Sequence, residues 1–346
     1  MIAGVNLILT FIPFLHTQAD ALCIGNIDKK ETEQVMNVID RHFLNPSRPL
    51  QDAESPKFRS MKLPTRKEAV AIFGPDIAKE AYPVKYQELA SSPSEENNAV
   101  EVTLQSGNDL SLGYAGIGIL DLISHLAYNS AYNQLRTKEQ LGYIVSAHSR
   151  KTTGGAWGLT VVVQSSNSPP EVLEERIESW LNLFRQELEA MTPESLAIEA
   201  KAIVAQLTEG DIKLGQEVSN VWGAIMATEI NNERITTPAF DRLDKLADEL
   251  ILADGNTELT ETTLAGNPRK TPESLKKLLL DFFDEFYALD APERRAMSSR
   301  VYNQTCTAAY EESLKKPGVL STFSDMRYLK EFLSTWSVAP YWRVEK

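Results

Sequence analysis

Cysteine and histidine are scarce, with two and four residues respectively in a chain of 346. Cys23 and Cys306 stand far apart in neither metal-type nor redox-type spacing. That excludes a disulfide-stapled scaffold and suits free thiols in a reducing compartment. A cytoplasmic location is expected, with mitochondrial and secreted locations as alternatives. The histidines, His16, His42, His125 and His148, never fall in His-x-x-Glu-His or His-Glu-x-x-His, and none has a second histidine within a helical turn. A self-contained zinc site is therefore not expected, nor is any other cofactor site in this chain. A nucleophile elbow, a P-loop and a dinucleotide fingerprint are also missing. Gly113, Gly116 and Gly118 match no phosphate-binding spacing and read as positions of close helix packing. Positive charge is short, with 35 Lys plus Arg against 48 Asp plus Glu, a net −13. Such a field repels nucleic-acid phosphates and anionic lipid surfaces, so neither partner is expected. Nor is a membrane span: Ile2 to Leu15 is apolar, but Asn6, Thr10 and Pro13 interrupt it well short of ~20 residues.

What remains is ordinary globular material, 42% hydrophobic and 24% charged, in a length that fits one large or two ordinary domains. Ala19-Asp20-Ala21 resembles a signal-peptide cleavage site, yet no Lys or Arg precedes Lys29 to form a positive n-region. The first residues read instead as buried structure beginning partway through a folded domain. Ala21 to Asn26 reads as a short core strand, and Asp28 as the cap of a helix turning Val35, Met36, Val38 and Ile39 inward. Asn45 to Pro64, rich in Pro, Ser and charge, reads as an extended connection near a domain boundary.

Beyond it, Asn98 to Gln105 alternates apolar and polar residues with the period of a half-buried strand. Ala115 to Gln140 has helical spacing, and Gly142 is available to stop the helix. Tyr143–Ala147 and Trp157–Gln164 form a hairpin pattern around Gly154-Gly155, followed by a helix over Val172–Met191 and a second one after Thr192-Pro193-Glu194. Leu214–Ile230 and Ser274–Tyr287 give further helices, and Met297–Val301 a late strand. Residues 253–272 look too polar to bury much surface and read as a surface insertion. Hairpin strands followed by paired helices predict an α+β fold, a mainly antiparallel sheet with helices on one face.

The segment from Tyr132 to Val145 carries the most chemical information. Arg136 falls near the end of a helix and Tyr143 begins the next strand, so rigid elements can aim both polar heads at one place. Taken alone, the pair reads first as a capping arginine and a sheet tyrosine.

Arg136-Thr137-Lys138-Glu139-Gln140-Leu141-Gly142-Tyr143 resembles a motif of the insulysin and nardilysin branch of the M16 zinc metallopeptidases. Ala21 to Ile27, Trp157 to Ser165, Trp222-Gly223 and Asp290 to Arg295 resemble successive neighbouring parts of the same family. The resemblance implies homologous α+β domains arranged as two halves around a closed chamber, with the zinc motif in the first domain. It implies that residues 1–64 are the remnant of a third domain plus linker, and that 65–346 are the C-terminal fourth domain. It further implies that Arg136 and Tyr143 orient the substrate carbonyl and help stabilise the oxyanion, and that Tyr132 lines a side-chain pocket. Lys138, Glu139 and Gln140 are assigned to motif packing and surface pairs. The expected function is the noncatalytic C-terminal half of an insulysin-like zinc metalloendopeptidase, closing the chamber and positioning the substrate. Its partners would be peptides and a catalytic M16 half, in the same polypeptide or a separate chain. The alternative is an inactive M16-type peptide-binding or assembly subunit.

Overall fold

A computed structural model describes residues 16–17, 21–44, 48–49, 60–152, 155–226, 240–253 and 261–336. In chain order the elements are β1 (His16–Thr17), α1 (Lys29–Ile39), β2 (Arg48–Pro49), α2 (Arg66–Phe73), β3 (Val84–Leu89), β4 (Asn98–Asn108), α3 (Asp109–Ala131), β5 (Ile144–Lys151), β6 (Ala156–Ser165), α4 (Pro170–Ala190), α5 (Pro193–Leu207), α6 (Leu214–Met226), α7 (Arg242–Leu250), α8 (Pro272–Phe286), β7 (Arg295–Tyr302), α9 (Thr307–Ser313), β8 (Val319–Leu320) and α10 (Phe323–Phe332). They divide into two compact units, one holding β1, α1, β2 and α6 and the other holding the rest.

In the smaller unit, Asp28 caps α1 as its sequence predicts. Its carboxylate accepts from the Glu31 amide at 2.8 Å, and Glu31 returns the bond at 3.0 Å. The expected inward face is only half-buried: Val35, Met36 and Ile39 are partly covered, Val38 is exposed, and no residue of α1 is fully buried. Ala21 to Asn26 is not a strand either, and none of its residues is buried. Apolar composition alone suggested that strand, and among the described residues no strand pairs with it. Ile2 to Leu15 lies outside the described residues.

The larger unit is built on a six-stranded sheet in the order β5-β6-β4-β7-β3-β8. The pairs β5–β6, β6–β4 and β4–β7 are antiparallel, while β3 runs parallel to β7 and β8. Alternation in β4 decides its two faces: Val100, Val102 and Leu104 are fully buried, while Ala99, Glu101 and Thr103 between them are half-buried. Register carries the buried face across the sheet, with Val102 opposite Val161 and Val161 opposite Ala147. Helices α3, α4 and α8 cover this side, packing Leu120, Ile123, Ile177, Phe184, Leu279 and Phe283 into one core with those strands. The mainly antiparallel sheet with helices on one face is thus the observed fold. Strand β3, which the sequence did not suggest, pairs with β7 across more than 200 residues of chain, a contact no local pattern signals.

By length and composition, the helix from Asp109 to Lys138 could cross a membrane. Here it is a core helix, with Ile117, Ile119, Leu120, Leu122 and Ile123 all buried. Most of the described part of 253–272 is exposed or half-buried, with two exceptions. Lys270 and Thr263 are buried against the fully buried Glu249, whose carboxylate accepts from Lys270 Nζ at 2.6 Å, Thr263 Oγ1 at 2.7 Å and Asn267 Nδ2 at 2.6 Å. A polar segment was read as a surface segment; pairing with a buried carboxylate removes that cost.

Candidate functional site

α3 does not stop at Ala131 but widens into a π-helical turn over Tyr132–Lys138. Its end is marked by long-span bonds, from the Glu139 amide to the Gln134 carbonyl and from the Leu141 amide to the Leu135 carbonyl, both 3.0 Å. Such insertions recur at functional sites because they re-aim side chains without ending the helix. Leu135, fully buried, and Leu141, nearly so, anchor the turn in the core.

Two backbone features then bring the chain into β5. Gln140 adopts φ +54°, the left-handed region that non-glycine residues rarely occupy. Gly142 lies so close to β6 that a Cβ there would fall 1.7 Å from the Gln164 carbonyl oxygen. Only glycine permits that approach.

Glu139 locks the turn. Its carboxylate accepts from Gln134 Nε2 at 2.7 Å and from Arg176 Nε, on α4, at 2.6 Å. The Arg176 hydrogen bond is the main reason its carboxyl stays below the usual carboxylate range. Glu139 was assigned with Lys138 and Gln140 to motif packing and surface pairs, and with only 11% of its side chain exposed it belongs to the packing. Its role is internal positioning. Arg176 escaped sequence reading because it lies 37 residues away on another helix.

The frame leaves Tyr132, Arg136 and Tyr143 at the surface. Tyr143 is 81% exposed just before β5, Tyr132 is exposed, and Arg136 is half-buried. The guanidinium carbon of Arg136 stands 4.7 Å from the Tyr132 ring centroid and 4.6 Å from that of Tyr143. The structure therefore brings all three sequence-nominated residues together, with the cation held by two aromatic faces. Stacking leaves the edge N–H groups of the guanidinium free to meet an acceptor, and the Tyr143 phenol adds another donor. One turn earlier on α3, Tyr128 adds an exposed ring that sequence reading did not single out. Its signal was the four-residue spacing Tyr128, Tyr132, Arg136.

Among the described residues, no group of three or more His, Cys, Asp or Glu side chains could hold a metal ion. His125 instead meets Glu199 at 3.1 Å, and His148 is exposed on β5.

Comparison with known proteins shows what the chain is similar to. Residues 122–222 match the family model described as PQQ synthase PqqF-like, C-terminal lobe domain 4, a match that includes the whole motif. The chain is 26% identical over 297 residues to the peroxisomal insulin-degrading enzyme-like 1 of Arabidopsis thaliana, covering 84% of this chain and 26% of that one. It is 27% identical over 296 residues to the insulin-degrading enzyme of Homo sapiens, covering 84% and 24%. Over most of its length the chain is thus similar to insulin-degrading enzymes, and its structural neighbours are M16 peptidases. It spans about a quarter of the length of these M16 relatives. In fold it is similar to crystalline pitrilysin, with a TM-score of 0.58 at 20% identity, covering 91% of this chain and 27% of that chain. The part of the family it resembles is a C-terminal lobe.

Proposed function

We propose that this chain is the noncatalytic, substrate-orienting C-terminal portion of an insulin-degrading-enzyme-like zinc endopeptidase. The observation that carries the proposal is the half-buried Arg136, stacked between the exposed Tyr132 and Tyr143 on a turn locked by Glu139 and Arg176. Arg136 and Tyr143 donate to the carbonyl oxygen of a bound peptide. Because both are positioned before substrate arrives, little reorganisation is needed as that oxygen gains negative charge. Tyr132 presents an apolar face to a neighbouring substrate side chain. The metal and the attacking water come from a catalytic M16 half, in the same polypeptide or a separate one, and the two together close the peptide chamber.

The test is reconstitution. The purified chain alone should contain no stoichiometric zinc and cleave no peptide, whereas adding a catalytic M16 half should restore cleavage. One tightly bound zinc per isolated chain would overturn the proposal. Peptide retention without cleavage after reconstitution would favour the binding-subunit reading instead. We also place the protein in the cytoplasm, where its free Cys23 and Cys306 thiols would stay reduced. Fractionation that finds it in mitochondria or outside the cell would refute that location.

A further inference from the structure

A cleft lies at the other end of the sheet from Arg136. Tyr143 precedes Ile144, which pairs through Gln164 with Ala99 near the start of β4, whereas Arg295 pairs with Gln105 near its end. That separation is roughly 20 Å along the strand at ~3.3 Å per residue. Beside Arg295, the first turn of α2 and the segment before β7 enclose a cleft of about 470 Å³, within the range of small-ligand pockets. Val70, Ala81, Pro83, Leu289 and Pro292 give it apolar walls.

Its charged groups are Arg66, Lys67, Arg294 and Asp290. In a chain of net charge −13 this is a local excess of cations. Arg294 is buried and already pairs with Glu178, although its Nε has no partner. Arg66 donates to Asp290 Oδ1 at 3.2 Å and to the Leu289 carbonyl at 2.8 Å, and the Asp290 side chain is 92% exposed. A pair so exposed contributes little and exchanges readily for an incoming carboxylate. Lys67 is exposed and has no ion-pair partner among the described residues. Two of the three cations are thus matched by Glu178 and Asp290, leaving one positive charge beside apolar walls.

We propose that this cleft binds a monoanionic carboxylate carried on an apolar body, with Lys67 and Arg66 holding the carboxylate and the cleft walls taking the apolar part. One unmatched positive charge suits a monoanion better than a polyphosphate, and the Asp290 carboxylate already shows the geometry in which Arg66 accepts one. The carboxylate can come from the C-terminus of an apolar peptide or from a free organic acid, and one experiment separates these sources.

Isothermal titration of the full 346-residue chain would use three probes: N-acetyl-Ala-Leu-Phe with a free carboxylate, its C-terminal amide, and 3-phenylpropanoate. Binding of the free-acid peptide, with the amide about tenfold weaker, supports the proposal and identifies a peptide C-terminus as the source. Binding of 3-phenylpropanoate alone supports it and identifies a free acid. In either case Lys67→Ala should weaken binding about fivefold, and high salt should weaken it further. Ala78→Leu, at an exposed position lining the cleft, should abolish binding by filling it. Circular dichroism should show both variants folded, since both sites are exposed. The proposal falls if no probe binds, if amide and acid bind equally, if inorganic phosphate displaces either acid at equal concentration, or if both variants retain wild-type affinity.

Discussion

The guanidinium of Arg136 lies 4.6 Å from the ring centroid of Tyr143, across a turn in which the chain passes from helix to sheet. Neither residue holds the turn together. Leu135, Leu141, Glu139 and Gly142 do that from inside, and the stacked pair lies at the surface.

The first prediction separates these two duties. In a reconstituted enzyme, Arg136→Ala or Tyr143→Phe should lower kcat/KM by roughly 10²–10³, the loss expected when one oxyanion donor is removed. Urea unfolding of the isolated variants should change by no more than about 1 kcal/mol, because an exposed cation–π contact is worth little. Variants with lowered stability and unchanged turnover would place both residues in the scaffold rather than the site.

Gly142 should behave in the opposite way. A Cβ at this position would need the Gln164 carbonyl, 1.7 Å away, to move, and that carbonyl belongs to the β6 backbone. Gly142→Ala should therefore cost about 1–3 kcal/mol or more, as overpacking against backbone does. Its urea midpoint should fall well below that of the Arg136 and Tyr143 variants. An unchanged midpoint would mean that the turn does not approach β6 as described.

Strand β4 was legible because it alternates locally, β5 and β6 because two β-rich runs flank Gly154-Gly155, and the capped helices α1 and α5 because their caps are local too. β3 was not, because its pairing with β7 is long-range and its sequence has no clear period. At the site, Arg136 and Tyr143 were visible through their motif. The π-helical turn, the left-handed Gln140 and the Arg176 lock were not. The turn and Gln140 depend on how the chain is tethered at both ends, and the lock depends on which helix lies opposite. Ala21 to Asn26 shows the converse error, since an apolar run becomes a strand only where a partner edge accepts it.

A third prediction concerns charge placed on the core side of the sheet. Arg300 on β7 makes a bidentate pair with Glu174 on α4, Nε to Oε1 and Nη2 to Oε2, both 2.6 Å and both residues buried. Removing Glu174 leaves Arg300 only the looser pair with Glu171 at 3.6 Å, so Glu174→Ala should cost about 3 kcal/mol, the low end for a broken buried pair. Combining Glu174→Leu with Arg300→Met should recover most of that loss, since a packed apolar pair carries no desolvation penalty. If the double variant is no more stable than Glu174→Ala, the pair contributes in its own right rather than by mutual compensation.

The last prediction turns on two acids of α3 with opposite shifts. Burial pushes the Asp121 carboxyl up to about 6, despite a 3.2 Å hydrogen bond from Ser149 Oγ. Burial also works to raise Asp109, but Arg242 and Lys151 overcome it and hold that carboxyl below its usual value. The signs therefore differ. The folded state binds the Asp121 proton more tightly than the unfolded state does, so this group's contribution is full below the unfolded value of ~3.9 and is lost as pH rises through about 6. Asp109 contributes in the other direction: its stabilisation is present above ~3.9 and disappears as pH falls through its depressed folded value. Urea midpoints at about pH 3, 5 and 7 distinguish the two. Asp121→Asn should gain on wild type between the lowest and highest pH, by no more than about 2 kcal/mol once solvent screening is allowed for. Asp109→Asn should lose ground over the same range, because at high pH it gives up the ion pairs with Arg242 and Lys151 that wild type keeps. A gap between Asp121→Asn and wild type that stays constant with pH would show that Asp121 titrates like an ordinary surface carboxylate.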